Sequence, residues 1–155
     1  MKNKIDKYYL NYNKCMKLKK RGYNVFCDKL YGPYPHYNNE PLGSDEEYEL
    51  RSEGKGNEII YKIIDQSCIN RNSELDEESC SCPEINDVID WLLINWNVHI
   101  TVKPYWNSEG LNWFGDVHYI NDNFIQLMHT ITRCKHKYEA YAKCIEWVLD
   151  NYKTI

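Results

Sequence analysis

Two histidines and an aspartate are the residues of this sequence that come closest, in type and spacing, to carrying chemistry. His99 stands in one stretch of alternating residues, and Asp116 and His118 stand in the next. Two imidazoles beside a carboxylate can bind a metal ion or act as an acid–base pair. Alternatively, with Thr101, they form the solvated polar half of a hairpin. We adopt the second interpretation, predict no catalytic residue and no metal ligand, and keep His99 and His118 as candidates for a binding surface.

Seven cysteines offer a second kind of chemistry. They are Cys15, Cys27, Cys68, Cys80, Cys82, Cys134 and Cys144. Zinc sites usually use cysteine pairs with about two to four residues between them, whereas Cys80 and Cys82 are separated by a single residue. A site built from Cys68, Cys80 and Cys82 with Cys27 or a histidine stays open as an alternative. An odd number of cysteines without a secretion signal predicts free thiols, and no cofactor is expected.

Aromatic side chains are the third set of candidates, because they can anchor a protein partner or stack on a base. Two segments concentrate them, a loop predicted at residues 31–43 and a hairpin tip predicted at residues 107–112. The aromatic residues are Tyr31, Tyr34 and Tyr37 in the loop, and Tyr105, Trp106 and Trp113 flanking the tip. In the alternative interpretation these rings cover the edge of a core.

Motifs for enzymatic catalysis are absent from the sequence. No G-x-S-x-G segment is present for an activated serine. Gly54-Lys55-Gly56 is a two-glycine turn rather than a phosphate-binding loop. We therefore predict a non-enzymatic protein.

The histidines and the tip aromatics must be positioned by a hairpin of two alternating strands. Residues 98–105 place Val98 and Ile100 on one side and His99 on the other, and residues 113–120 alternate in the same way. A turn centred between residues 108 and 109 sets His99 opposite His118 and Ile100 opposite Val117. This register keeps the apolar residues on one face, as burial requires.

Three amphipathic helices are predicted at residues 5–22, 83–95 and 138–152. We expect a strand at residues 23–27 and a hairpin of two strands at 47–51 and 58–64. Loops are expected at 31–43 and 68–81, and the segment at 122–134 fits either a helix or a strand. These elements predict a single α+β domain over residues 1–155. In it, three main helices pack on a small antiparallel sheet of hairpins.

Charge is distributed unevenly along this acidic chain, whose net charge is −4. Residues 1–30 contain nine Lys and Arg against two Asp. Such a segment can bind nucleic acid, but a basic helix that docks on an acidic body gives the same pattern. The overall acidic character argues against nucleic acid as the partner. No apolar run approaches the ~20 residues of a membrane helix, so we expect no membrane partner and a cytoplasmic location.

The order of four segments resembles a known layout. The segments are residues 18–27 (LKKRGYNVFC), 82–93 (CPEINDVIDWLL), 99–102 (HITV) and 138–145 (YEAYAKCI). They are similar to small uncharacterised proteins of Bacteroidetes phages and prophages. In those proteins a helix ending in K-x-G-F/Y precedes a PT…WLRE…HNIHI block and a closing YEEAL helix. The resemblance implies a bacteriophage or prophage gene expressed in a bacterial host cell, and it implies no active site.

Small size, acidic character and abundant Tyr and Trp favour a phage accessory protein that binds a host or phage protein and thereby inhibits or remodels a host process. The acidic stretch at residues 40–53 could imitate the charge of nucleic acid toward such a partner. Two alternatives stay open, a virion-associated structural component and a protein that sequesters a small molecule or nucleotide. The sequence leaves the oligomeric state undetermined.

Overall fold

The computed structural model describes residues 9–35, 50–51 and 59–153. The chain divides into two compact units, Met1–Pro83 and Glu84–Ile155, called unit 1 and unit 2 below. The predicted α+β class is confirmed, with three α-helices and with strands that form two antiparallel sheets rather than one. The extent of a single domain over residues 1–155 stays a prediction.

Unit 1 combines one helix with a four-stranded sheet. Its elements are α1 (Tyr12–Lys20), β1 (Cys27–Pro35), β2 (Leu50–Arg51), β3 (Ile59–Asn70), a 3-10 turn (Asn72–Glu74) and β4 (Cys80–Ser81). The strand order is β2-β3-β1-β4. Antiparallel pairing of β2 with β3 confirms the predicted hairpin for Leu50 and Arg51, while residues 47–49 and 58 lie outside the described residues.

Helix α1 is shorter than the predicted helix at residues 5–22. Asn11 has an extended backbone and its side chain accepts a hydrogen bond from the Lys14 backbone N–H at 3.0 Å, so it caps the helix. The helix ends at Lys20, and Gly22 follows with a φ of +91°. Residues 5–8 lie outside the described residues.

The prediction of a loop from residue 31 was wrong for Tyr31–Pro35, which belong to β1. Proline is uncommon inside a strand, because it has no N–H for the hydrogen-bond ladder. The short β4 pairs with Leu30 and Tyr31, so among the described residues Pro33 and Pro35 lie where β1 has a strand on one side alone. On the side of β1 without a partner strand, the missing N–H of a proline costs no ladder hydrogen bond. Residues 36–43 lie outside the described residues.

The predicted loop at residues 68–81 was wrong at both ends, because β3 continues to Asn70 and the segment at β4 is buried. Asn72 holds this segment in place. Its Nδ2 donates to the Tyr23 carbonyl at 2.7 Å, and its Oδ1 accepts from the Ser81 N–H at 2.8 Å. The acidic middle part at residues 76–78 is exposed, as predicted.

Unit 2 packs two helices with a three-stranded sheet. Its elements are α2 (Ile85–Trp96), β5 (Val98–Asn107), β6 (Gly110–Ile120), β7 (Ile125–Cys134) and α3 (Lys137–Asn151), and the strand order is β5-β6-β7. The predicted register is confirmed, with His99 opposite His118 and Ile100 opposite Val117. The undecided segment at 122–134 forms β7, entered through a turn in which the Asn121 side chain accepts from the Phe124 N–H at 2.9 Å.

The two faces of this sheet differ. On one, called the helix face, a Cβ added at Gly115 would lie 2.5 Å from the Cys144 Sγ of α3. The helix face also carries Ile100 and Val117, which are buried. The opposite face, called the histidine face, carries the alternate residues of β5 and β6, among them His99 and His118.

Candidate functional site

The histidine pair lies where the hairpin register requires. His99 and His118 are directly opposed and half-buried on the histidine face, and Thr101 and Asp116 form the next pair. Thr130 Oγ1 on β7 donates a hydrogen bond to Asp116 Oδ1 at 2.6 Å. The carboxylate therefore already has a hydroxyl partner within the sheet. Sequence analysis did not identify Thr130, because its pairing depends on the strand β7.

The two residue pairs on the histidine face give no geometric support for binding of a metal ion. Within residues 9–35, 50–51 and 59–153, no group of three or more His, Cys, Asp or Glu side chains could hold a metal ion. A third histidine, His129, lies across the sheet on the helix face. There its ring stacks on Trp147 of α3, with ring centroids 4.5 Å apart and planes 3° apart. His129 thus packs in the helix–sheet contact.

The tip of the β5–β6 hairpin carries an apolar patch on the helix face. Trp106 pairs with Leu111, and Pro104 pairs with Trp113. Trp106 is 77% exposed and Leu111 is 41% exposed, whereas Trp113 is half-buried. These four residues, called the tip patch, continue the row of Ile100 and Val102 toward the turn. Of the two tryptophans predicted to flank the tip, Trp106 is exposed to solvent and Trp113 is partly covered.

Polar side chains hold the turn of the β5–β6 hairpin. Lys135 Nζ lies 3.6 Å from a Glu109 carboxylate oxygen and donates a hydrogen bond to Asn112 Oδ1 at 3.1 Å. Asn112 is fully buried, and its Nδ2 donates to Asn107 Oδ1 at 3.0 Å. These bonds tie the turn to the segment that follows β7. The tip is therefore a fixed structure rather than a loose loop.

Tyr105 supports the hairpin from its other face. Its hydroxyl accepts a hydrogen bond from the Arg133 backbone N–H at 3.2 Å, and its ring lies against Phe114 with centroids 5.9 Å apart. Arg133 lies at an irregular point of the β6–β7 pairing and has a backbone φ of +62°, which residues other than glycine rarely adopt. Tyr105 therefore bridges β5 to β7 across β6.

The three loop tyrosines do not form a common exposed edge in the described residues. Tyr31 is 3% exposed, and its hydroxyl donates to the Leu10 carbonyl at 2.8 Å, so it belongs to the core of unit 1. Tyr34 lies in β1 opposite Ile60. Tyr37 lies outside the described residues.

Three thiols meet beside Tyr31 in the core of unit 1. Cys15, Cys80 and Cys82 are each at most 1% exposed, and none forms a disulfide. Burial raises the pKa of the Cys15 thiol well above its ordinary value, and the neighbouring Cys80 and Cys82 thiols raise it further. Burial likewise raises the pKa of the Tyr31 hydroxyl. Buried, protonated thiols are weak nucleophiles, so this cluster is suited to packing.

A second exposed apolar group, not found from the sequence, lies at the start of β7. Phe124, Ile125 and Leu127 are 50%, 68% and 55% exposed. Ile125 pairs with Ile120, and Leu127 pairs with His118. Sequence alternation alone could not reveal these positions, because the segment also fitted a helix.

No protein-family model, no curated protein and no solved structure matches this chain. None of the helices among the described residues combines the length and the apolar character needed to cross a membrane. A function for this chain is therefore inferred from the geometry of the two units.

Proposed function

We propose that this chain is a non-enzymatic accessory protein of a bacteriophage or prophage that binds a host or phage protein through the tip patch and so inhibits or remodels a host process. The observation that carries the proposal is Trp106, 77% exposed at the end of a regular hairpin. Tryptophan is the residue most enriched among those that dominate binding energies at protein interfaces.

The tip patch has the composition of an interface centre. A contiguous apolar surface exposed to water is unfavourable unless a partner covers it, and on monomers such patches often mark binding sites. Trp106 and Leu111 expose large apolar side chains side by side, and Pro104 and Trp113 extend the same surface. The exposed side chains of Glu109 and Lys135 at the turn correspond to the polar rim of an interface.

Rigidity of the hairpin favours binding, because an ordered surface loses little conformational entropy on association. The ten residues from Val98 to Asn107 pair without interruption with the ten from Gly110 to Tyr119. The side-chain bonds of Asn107, Asn112 and Lys135 hold the turn. A partner therefore meets a preformed surface.

Charge around the tip patch indicates the chemistry of the partner. Arg133 lies near the end of β7, Lys135 in the segment after it and Lys137 at the start of α3, while Glu109 is the one acid of the turn. Because Glu109 already lies beside Lys135, the excess charge is positive. We expect a protein that offers an apolar pocket for Trp106, bordered by Asp or Glu.

Substitution of Trp106 tests this proposal. The tagged chain is purified from infected bacterial cells, the captured protein is identified by mass spectrometry, and its Kd is measured by calorimetry. Trp106→Ala should weaken binding about 30-fold, equivalent to the loss of about 2 kcal/mol at an interface centre. Ile94→Ala is the matched control, since Ile94 is 78% exposed on α2, and it should leave the Kd unchanged.

The same experiment distinguishes the proposed function from the two alternatives. Capture that Trp106→Ala leaves intact would refute binding through the tip patch. Capsid or tail proteins as the captured partner would identify a virion component. A wild-type chain that captures no protein, and instead shifts a labelled nucleotide in a binding assay, would favour sequestration of a small molecule.

A further inference from the structure

Strand β7 forms one edge of the three-stranded sheet in unit 2. One side of β7 pairs with β6, and its other side pairs with no strand in the part of the chain that the structure describes. The strand is ten residues long, so a row of backbone N–H and C=O groups lies along this outer side. Such an edge is a template for pairing with another strand.

The side chains of β7 do little to prevent such pairing. Natural edge strands are usually protected by lysine, by proline or by inward-pointing charge, whereas β7 contains no acid, no lysine and no proline, and Arg133 is its one charged residue. Ile125 and Leu127 are instead apolar and more than half exposed. Two irregularities interrupt the pairing with β6, yet residues 125–127 and 129–131 remain regular on either side of Met128.

We infer that β7 pairs antiparallel with β7 of a second copy of this chain, which joins two three-stranded sheets into one six-stranded sheet. The two strand ends carry opposite charge. Asp122 precedes β7, and Arg133, Lys135 and Lys137 lie at or just after its other end. Antiparallel pairing places each Asp122 beside the cationic end of the other strand.

Self-complementarity favours a second copy over an unrelated strand. A two-fold axis repeats each contact, so the favourable charge pair occurs twice in one interface. When Leu127 pairs with the partner's Thr130, the turn that contains Asp122 lies next to the end of the partner's β7, which contains the partner's Arg133 and is followed by the partner's Lys135. Because each copy uses its β7 edge once, the assembly closes as a dimer.

Mass in solution tests this inference. Sedimentation equilibrium of the full chain should show a concentration-dependent change from 18.6 kDa to twice that mass. The double variant Ile125→Lys with Leu127→Lys should remain monomeric, because lysine on an edge strand opposes pairing. Ile94→Lys, on the exposed surface of α2, is the matched control and should dimerise like the wild type. Circular dichroism verifies that each variant is folded.

A charge variant tests the orientation of the strands. Asp122→Lys should weaken the dimer about tenfold, because it sets like charges together at both ends of the interface. A wild-type chain that stays monomeric at about 100 µM would overturn the inference, since its dimer Kd would then exceed that value. A dimer unchanged by the double lysine variant, or larger open-ended assemblies, would overturn it too. Trp106→Ala should leave the dimer intact, so this result is independent of the function proposed for the tip patch.

Discussion

At the base of the β5–β6 hairpin the apolar side chains are buried, whereas at its tip, on the same strand and the same face, they lie in solvent. Ile100 is 3% exposed and Trp106, six residues farther along β5, is 77% exposed. Helix α3 packs against the sheet near Gly115, where the Cys144 Sγ and the Ala140 carbonyl approach it. The difference therefore depends on how far along the hairpin the helix reaches.

This comparison separates two uses of the same kind of residue. Burial of a large apolar side chain contributes about 1.5–3 kcal/mol to folding, so Ile100 and Val117 stabilise unit 2. An exposed ring contributes little to folding, and its apolar surface remains in contact with water. Alternation along a strand assigns a face to both residues, but it does not distinguish the two uses.

The largest contrast is expected between alanine variants of these two positions. Ile100→Ala should lower the free energy of unfolding by about 2–5 kcal/mol, because it removes buried methylene groups and leaves a cavity. Trp106→Ala should change it by less than about 0.5 kcal/mol, as expected for an exposed site. Urea denaturation followed by circular dichroism measures both. A cost for Trp106→Ala close to that of Ile100→Ala would show that the tip is part of the core.

The close approach at Gly115 gives the next largest effect. Gly115→Ala should destabilise the fold by about 1–3 kcal/mol, since its Cβ would lie 2.5 Å from the Cys144 Sγ. In a Cys144→Ala background the sulfur is gone, so the same substitution should cost less. A double-mutant cycle measured in urea gives this coupling, which we expect to be about 1 kcal/mol.

Gly110 provides the matched control at the tip. A Cβ there would meet nothing within 4 Å, but its φ of +103° strains any other residue. Gly110→Ala should therefore be destabilising in both backgrounds to the same extent. Equal coupling of Cys144 to both glycines would contradict the role of the close contact.

Much of unit 2 could be predicted from the sequence, because local rules determine it. A turn between two alternating stretches sets the register of His99 opposite His118, and the structure confirms it. Helix α2 ends at Trp96, one residue beyond the predicted end, because Asn97 adopts the left-handed conformation with a φ of +56°. A hairpin register and a helix end depend only on residues that are close together in the sequence.

Features that depend on distant contacts could not be predicted. Pro33 and Pro35 are compatible with a strand only because β4 is too short to reach them. Asn72 is buried because Tyr23 and Ser81 supply its hydrogen-bond partners. The sequence likewise left Trp106 and Trp113 equivalent. The half-burial of one and the exposure of the other depend on where α3 lies over the sheet.

Alkaline pH offers a gradual test of the packed end of the hairpin. Burial raises the pKa of the Cys144 thiol from 9.0 to about 12, and the nearby Cys134 and Asp116 add to this shift. Because the folded-state pKa is the higher one, the stabilising contribution is complete below pH 9, and it is lost as the pH rises toward 12. In that window the free energy of unfolding should fall by up to about 1.4 kcal/mol per pH unit from this group.

The variant Cys144→Ala removes this contribution. Urea denaturation at successive pH values should therefore give a shallower decline of the free energy of unfolding for Cys144→Ala than for the wild type. Trp106→Ala should follow the wild type. Parallel curves for Cys144→Ala and the wild type would show that the thiol titrates alike in the folded and unfolded chain, and hence that α3 does not exclude water from the base of the hairpin.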